Sequence, residues 1–152
     1  NYVHCSSTNN CLAVGSSGTI TKTADGATFS LQTSNTTSAL NGIFAADLST
    51  YIATSAVFSS SGHRFTTNGG STWSTYYMSS RNSLGAITCN GGAITNCTAV
   101  GSNGTILRTN SGTNGWSINY STSTQTLWGV ACPSSTTCFI VGESGRTLKL
   151  TQ

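Results

Sequence analysis

Apolar residues in this chain occur as short alternating runs, separated by stretches rich in Gly, Ser, Thr and Asn. No run shows the three-to-four-residue spacing of an amphipathic helix, so the pattern predicts strands joined by tight turns. The runs come in matching sets. Leu40-Asn41-Gly42-Ile43-Phe44 aligns with Leu84-Gly85-Ala86-Ile87-Thr88 and with Leu127-Trp128-Gly129-Val130-Ala131. A second set is Cys11-Leu12-Ala13-Val14, Cys97-Thr98-Ala99-Val100 and Cys138-Phe139-Ile140-Val141. Each member of that set is followed by a glycine turn: Gly15 to Gly18, Gly101 to Gly104, Gly142 to Gly145. A third, Thr-rich strand follows, as in Thr19–Thr23 and Thr105–Thr109, and a fourth opens at Phe29, Trp73 or Trp116.

Two independent anchors fix the period. Gly18, Gly62, Gly104 and Gly145 are 44, 42 and 41 residues apart, and Leu40, Leu84 and Leu127 are 44 and 43 apart. Four strands per unit at this period predict an all-β fold of β-propeller blades, each of four antiparallel strands. The rival solenoid β-helix has shorter repeats. The chain reads as a single propeller domain or segment over 1–152, with repeats at approximately 1–38, 39–82, 83–125 and 126–152. Three units are complete and the fourth has three strands. Strand one of the first unit begins at the N-terminus, and the chain stops at a third strand, Leu148–Gln152. Completion by further blades of the same polypeptide, or by a homo-oligomer, is therefore expected. The Gly-x-x-Gly turns lead into strands rather than helices, so the glycines are assigned to positive φ in hairpins and not to phosphate binding.

Only 6% of residues are charged, while 36% are hydrophobic, a balance that excludes a disordered polyelectrolyte. The surface is made polar by hydroxyls and amides. The six basic residues are scattered, which argues against a nucleic-acid partner. No apolar run approaches the roughly 20 residues of a membrane helix, so no membrane insertion is expected of this segment. The chain shows neither an initiator Met nor a signal-peptide pattern and reads as a processed or excised piece.

The six cysteines fall into local pairs: Cys5 with Cys11, Cys89 with Cys97, and Cys132 with Cys138. Each pair brackets the hairpin between strands one and two, where Cβ atoms come within bonding reach. In the second unit the two slots hold Ala45 and Tyr51, so both partners are missing together, as a covalent pair requires. Zinc sites favour Cys spacings of two to four residues with four converging ligands, which this pattern does not offer. Three disulfides imply an oxidising compartment, hence a secreted or cell-surface protein. No metal and no cofactor are expected.

The turn before the fourth strand of the second unit reads Thr66-Thr67-Asn68-Gly69-Gly70-Ser71-Thr72-Trp73. It resembles the Asp-box of sialidase-type repeats, with Thr66, Asn68, Gly70, Thr72 and Trp73 in the box positions. The first unit carries a shortened form around Asp25, and the third a degraded one from Thr109 to Trp116. With the recurrent Val-Gly and Thr positions, the chain resembles bacterial propellers of the BNR-like kind, related to photosystem stability factors. The resemblance implies a box that is a structural turn at the blade periphery, away from the active sites of those members that are enzymes.

Catalysis has little to build on. The carboxylates are Asp25, Asp47 and Glu143, each assigned to a turn of a different kind, whereas glycoside hydrolysis needs two facing carboxyl groups. His4 and His63 have no orienting acid. The sequence is therefore read as a non-enzymatic extracellular module for recognition or adhesion, with a glycan or surface protein as ligand. A structural ectodomain of a fibre, pilus or larger adhesin is the alternative, and part of a glycoside hydrolase propeller a further one. Trp128, Tyr76 and Tyr77 are the candidate ligand-binding residues, because such rings stack and hydrogen-bond at once. The competing reading of Trp128 is packing between blades.

Overall fold

The computed structural model describes residues 2–56, 63–78, 80–90, 93–110 and 115–151. The first blade holds β1 (Tyr2–Cys5), β2 (Cys11–Val14), β3 (Ile20–Thr23) and β4 (Ser30–Gln32). The second holds β5 (Leu40–Ala45), β6 (Tyr51–Ser55), β7 (His63–Thr66) and β8 (Ser74–Tyr76). The third holds β9 (Leu84–Cys89), β10 (Cys97–Gly101), β11 (Thr105–Thr109) and β12 (Ser117–Tyr120). The fourth holds β13 (Leu127–Ser134), β14 (Thr137–Gly142) and β15 (Thr147–Thr151). All four sheets are antiparallel meanders in sequence order, three of four strands and the last of three. The Gly62 anchor and residues 111–114 of the degraded third turn lie outside the described residues.

Register decides which neighbour each side chain meets. The paired rows Ile43–Ala53 and Ile87–Ala99–Leu107 face the preceding blade. The rows Phe44–Ile52–Phe65 and Ala86–Val100–Ile106 face the following one. Three cores result. Leu12, Val14 and Ile20 of the first blade pack on Ile43, Ala45, Tyr51 and Ala53 of the second. Phe44, Ile52 and Met78 meet Ile87, Ala99 and Leu107. Ala86, Val100 and Ile106 meet Leu127 and Ile140, with Val130, Leu148 and Leu150 alongside. Blades buried on both faces lose the in–out alternation of a half-buried strand: β6 and β10 are buried at every position. The fourth blade keeps it, because only one face is covered, and β14 and β15 alternate residue by residue.

The turns between second and third strands show why their sequences recur. Ser17 and Gly18 both have positive φ, 53° and 71°, and the Thr19 amide donates to the Ser16 carbonyl at 3.0 Å. That is the primed hairpin turn whose twist matches its strands. Asn103–Gly104 and Ser144–Gly145 repeat it. The first glycine of each motif departs from the expectation, since Gly101 and Gly142 are extended, with φ of −171° and −153°. Their role is room. A Cβ on Gly101 would sit 1.9 Å from the Ser83 carbonyl oxygen, and one on Gly142 2.6 Å from that of Thr126.

All three expected disulfides are present, Cys5–Cys11, Cys89–Cys97 and Cys132–Cys138, and no cysteine is free. Cys5–Cys11 and Cys89–Cys97 are directly paired across their strands. Ala45 and Tyr51 occupy the same paired position in the second blade. The fourth strands begin one residue after the aromatics assigned to open them, at Ser30, Ser74 and Ser117. Trp73 and Trp116 are buried as anchors of the turn, whereas Phe29 is half exposed. Trp73 stacks near Tyr51, with centroids 6.2 Å apart, in the core shared with the first blade, and Trp116 lies in the core shared with the second, whereas Phe29 stands on the first blade's uncovered face.

Candidate functional site

The first strands of successive blades lie side by side and form the inner rim of the array. Each complete inner strand carries a β-bulge at the same place. Pairing skips Asn41 in β5, Gly85 in β9 and Trp128 in β13. A bulge adds one unpaired residue and re-aims its side chain, and Trp128, at the bulge of the end blade, is 59% exposed. Trp128 belongs to the end blade, whose following face is open; at the equivalent Gly85 a Cβ would lie 3.6 Å from the Leu127 carbonyl of the next blade. Tyr76 is the last residue of β8, the outermost strand of the second blade, and Tyr77 is exposed just beyond it. Trp128 belongs to the inner strand of the fourth blade, while Tyr76 ends the outer strand of the second and Tyr77 follows it.

A cleft of about 690 Å³ is lined by the connector 33–38 between the first two blades together with Arg64 and Thr75. Arg64 is buried and acts as a clamp on that connector. Its Nε donates to the Ser34 carbonyl at 2.9 Å and Nη2 to that of Asn35 at 2.8 Å. Nη1 donates to the His63 carbonyl and to Thr75 Oγ1. Its neighbour His63 is 1% exposed, and Nδ1 accepts the Ser55 amide at 3.0 Å. Burial first, and the Arg64 charge second, bring the His63 pKa down to about 4. His4 accepts the Ala45 amide at 3.1 Å, a bond between blades. Both imidazoles are structural acceptors in their neutral form. Nothing in the sequence marked these roles beyond the break that His63-Arg64 makes in a Thr-rich third strand.

Asp25 and Asp47 are occupied within their own turns, and Glu143 by the connector that leads into the fourth blade. Asp25 Oδ1 accepts the Ala27 and Thr28 amides at 2.8 Å and the Thr23 hydroxyl, which hold its pKa well below the usual range. Asn68 Oδ1 likewise accepts Thr66 Oγ1 and the Thr72 amide, so the two turns use one geometry with and without a charge. Asp47 Oδ1 accepts the Ser49 and Thr50 amides, and Glu143 Oε2 accepts that of Thr126. Among the described residues no group of three or more His, Cys, Asp or Glu side chains could hold a metal ion. No described helix is long and apolar enough to cross a membrane.

Blades fanned side by side, packed face to face and rimmed by their first strands define a β-propeller. The chain is similar to propellers of two kinds. It superposes on YCF48 bound to a D1 peptide with a TM-score of 0.72 at 17% identity, covering 99% of this chain and 49% of that one. It superposes on the GH74 enzyme of Niastella koreensis with a TM-score of 0.72 at 19% identity, covering 95% of this chain and 27% of that one. YCF48 from Cyanidioschyzon merolae gives 0.51 at 16% identity, with 99% of this chain and 68% of that one. No family profile and no curated relative matches the sequence. The chain spans about half the length of the peptide-bound YCF48 and about a quarter of the Niastella enzyme.

These likenesses match the expected resemblance to photosystem-stability-factor propellers and correct the functional expectation. A non-enzymatic module for recognition or adhesion was expected, yet the same architecture superposes equally well on the Niastella GH74 enzyme. The physical reason is that blade packing, which made the fold legible, is indifferent to what the finished ring does.

Proposed function

We propose that this chain is a scaffolding segment of a larger propeller, secreted or surface-exposed, whose end faces take up further blades. The carrying observation is the asymmetry of burial. The second and third blades are covered on both faces, while the outer faces of the first and fourth expose Val3, Leu31, Phe139 and Val141 at 56, 74, 49 and 50%. Two apolar sheet faces of this kind mark association surfaces. The three disulfides support an oxidising compartment. Phe139→Thr and Val141→Thr keep β-propensity and remove apolar area. Each should lower the stability of the native protein by about 1–2 kcal/mol if the face is covered there. Thermal melts unchanged by both substitutions would contradict the proposal.

A second reading concerns what the finished ring holds. The inner-rim bulge at Trp128 favours a ligand at the ring axis, and the likeness to a peptide-bound YCF48 supports a polypeptide one. Trp128→Ala should then weaken capture of that peptide at least tenfold while leaving the melt unchanged. Equal affinity would remove Trp128 from the site.

A further inference from the structure

We propose that the two open end faces are the two halves of one more blade-to-blade junction, and that a second copy of this chain closes it head to tail. The inference rests on the scaffold reading and names the occupant. Register supplies the first argument. Counted from the cysteine pairs, Phe139, Val141, Thr147 and Lys149 of the fourth blade occupy the positions of Leu12, Val14, Ile20 and Lys22 in the first. Those positions form the face that packs on the second blade. On the opposite side, Val3 and Ala13 of the first blade occupy the positions of Ile43 and Ala53, the face that receives it. The open faces therefore continue the internal interfaces in both directions, one as giver and one as receiver.

Charge supplies the second argument. Lys22 crosses the first junction, where Nζ donates to the Gly69 carbonyl at 2.9 Å and lies 5.2 Å from the centre of the Tyr51 ring. Lys149 stands in the same register and lines the open face with Phe139, Val141 and Thr147. The matching receiver on the first blade is Gly26, which holds positive φ as Gly69 does and is preceded by the Asp25 carboxylate. A cation on the giving face thus meets a carbonyl next to a carboxylate on the receiving one. A second copy satisfies both faces at once through two identical junctions, and a repeating contact closes when the rotation per copy brings the ring back on itself.

Light scattering of the 152-residue chain tests this directly. The wild type should have twice the mass of one chain. Phe139→Asp spoils the giving face and Leu31→Asp the receiving face, so each alone should be a monomer. Their equimolar mixture should recover a two-copy species, because one of its two junctions is wild type on both sides. Leu48→Asp, an exposed hairpin position away from both faces, should stay a dimer. Circular dichroism and intact disulfides verify that both exposed-site variants fold. A monomeric wild type, or a dimer indifferent to either face variant, would overturn the second copy. The scaffold reading fails separately, if the end faces of the native protein prove to be open to solvent.

Discussion

His63 makes the second blade sensitive to acid. Its Nδ1 accepts the Ser55 amide and is shielded from water, so the folded chain holds the ring neutral down to about pH 4. The unfolded chain protonates it near 6.5. Between these values the unfolded state binds the extra proton, so stability falls as pH falls across the window and levels below it. The total loss is about 3 kcal/mol from this residue. Urea titrations from pH 7 to 3.5 should show that slope in the wild type and a much shallower one in His63→Gln, with His4 supplying part of the remainder. An equal slope in both would contradict the assignment. Asp25 acts in the same direction at stronger acid, since its depressed pKa contributes stability that is lost only as pH falls through the folded value. Asn68 performs the same turn uncharged, so Asp25→Asn should fold normally at pH 7. The pairing of Cys5 with Cys11 was legible in the sequence because Ala45 and Tyr51 vacate both slots together. The role of Tyr51 was not, since its hydroxyl binds the Leu48 carbonyl and reaches Asn10 of the preceding blade at 3.3 Å. That contact joins residues 41 apart, which no local pattern encodes.

At the scale of elements, the second blade replaces a covalent hairpin staple with a buried tyrosine. Tyr51→Phe keeps the packing and loses the hydroxyl bonds, and should cost about 1–2 kcal/mol. Tyr51→Ala should cost about 3–5 kcal/mol by opening a cavity between blades. Either cutting a disulfide or truncating Tyr51 loosens the hairpin of one blade. Each disulfide closes a short loop and should contribute somewhat less than the roughly 3 kcal/mol of a fifteen-residue loop. The turns divide the glycines by mechanism. Gly101→Ala drives a Cβ into a carbonyl that cannot retreat and should cost about 3 kcal/mol or more. Gly145→Ala meets nothing within 4 Å and pays only for its positive φ, about 1–2 kcal/mol. Denaturant melts of the two variants check the order, and a reversal would mean that the first glycine serves backbone conformation after all. Strand order and the second glycine were readable because alternation and turn chemistry are local. The need for the first glycine was hidden, because it is imposed by the Ser83 carbonyl at the start of the inner strand.

For the whole molecule, the repeat period identified the blades, and composition alone could not say which faces meet. The difference between β10, buried throughout, and β14, alternating, comes from the presence or absence of a neighbouring blade. The bulge at Trp128 was equally hidden, because Asn41, Gly85 and Trp128 share a position but no chemistry. Function was the least legible level, since Asp25 and Asp47 are bonded into their own turns and Glu143 to the connector before the fourth blade. The central claim is that the end faces are covered in the native protein. Hydroxyl-radical footprinting of the native protein, read by mass spectrometry, tests it most directly. Tyr77 and Leu48, exposed on the second blade and away from the end faces, serve as internal standards at 66% exposure each. The account predicts that Phe139, Val141 and Val3 oxidise several-fold more slowly than those standards. Oxidation of all three at the rate of Leu48 would show open end faces and contradict it.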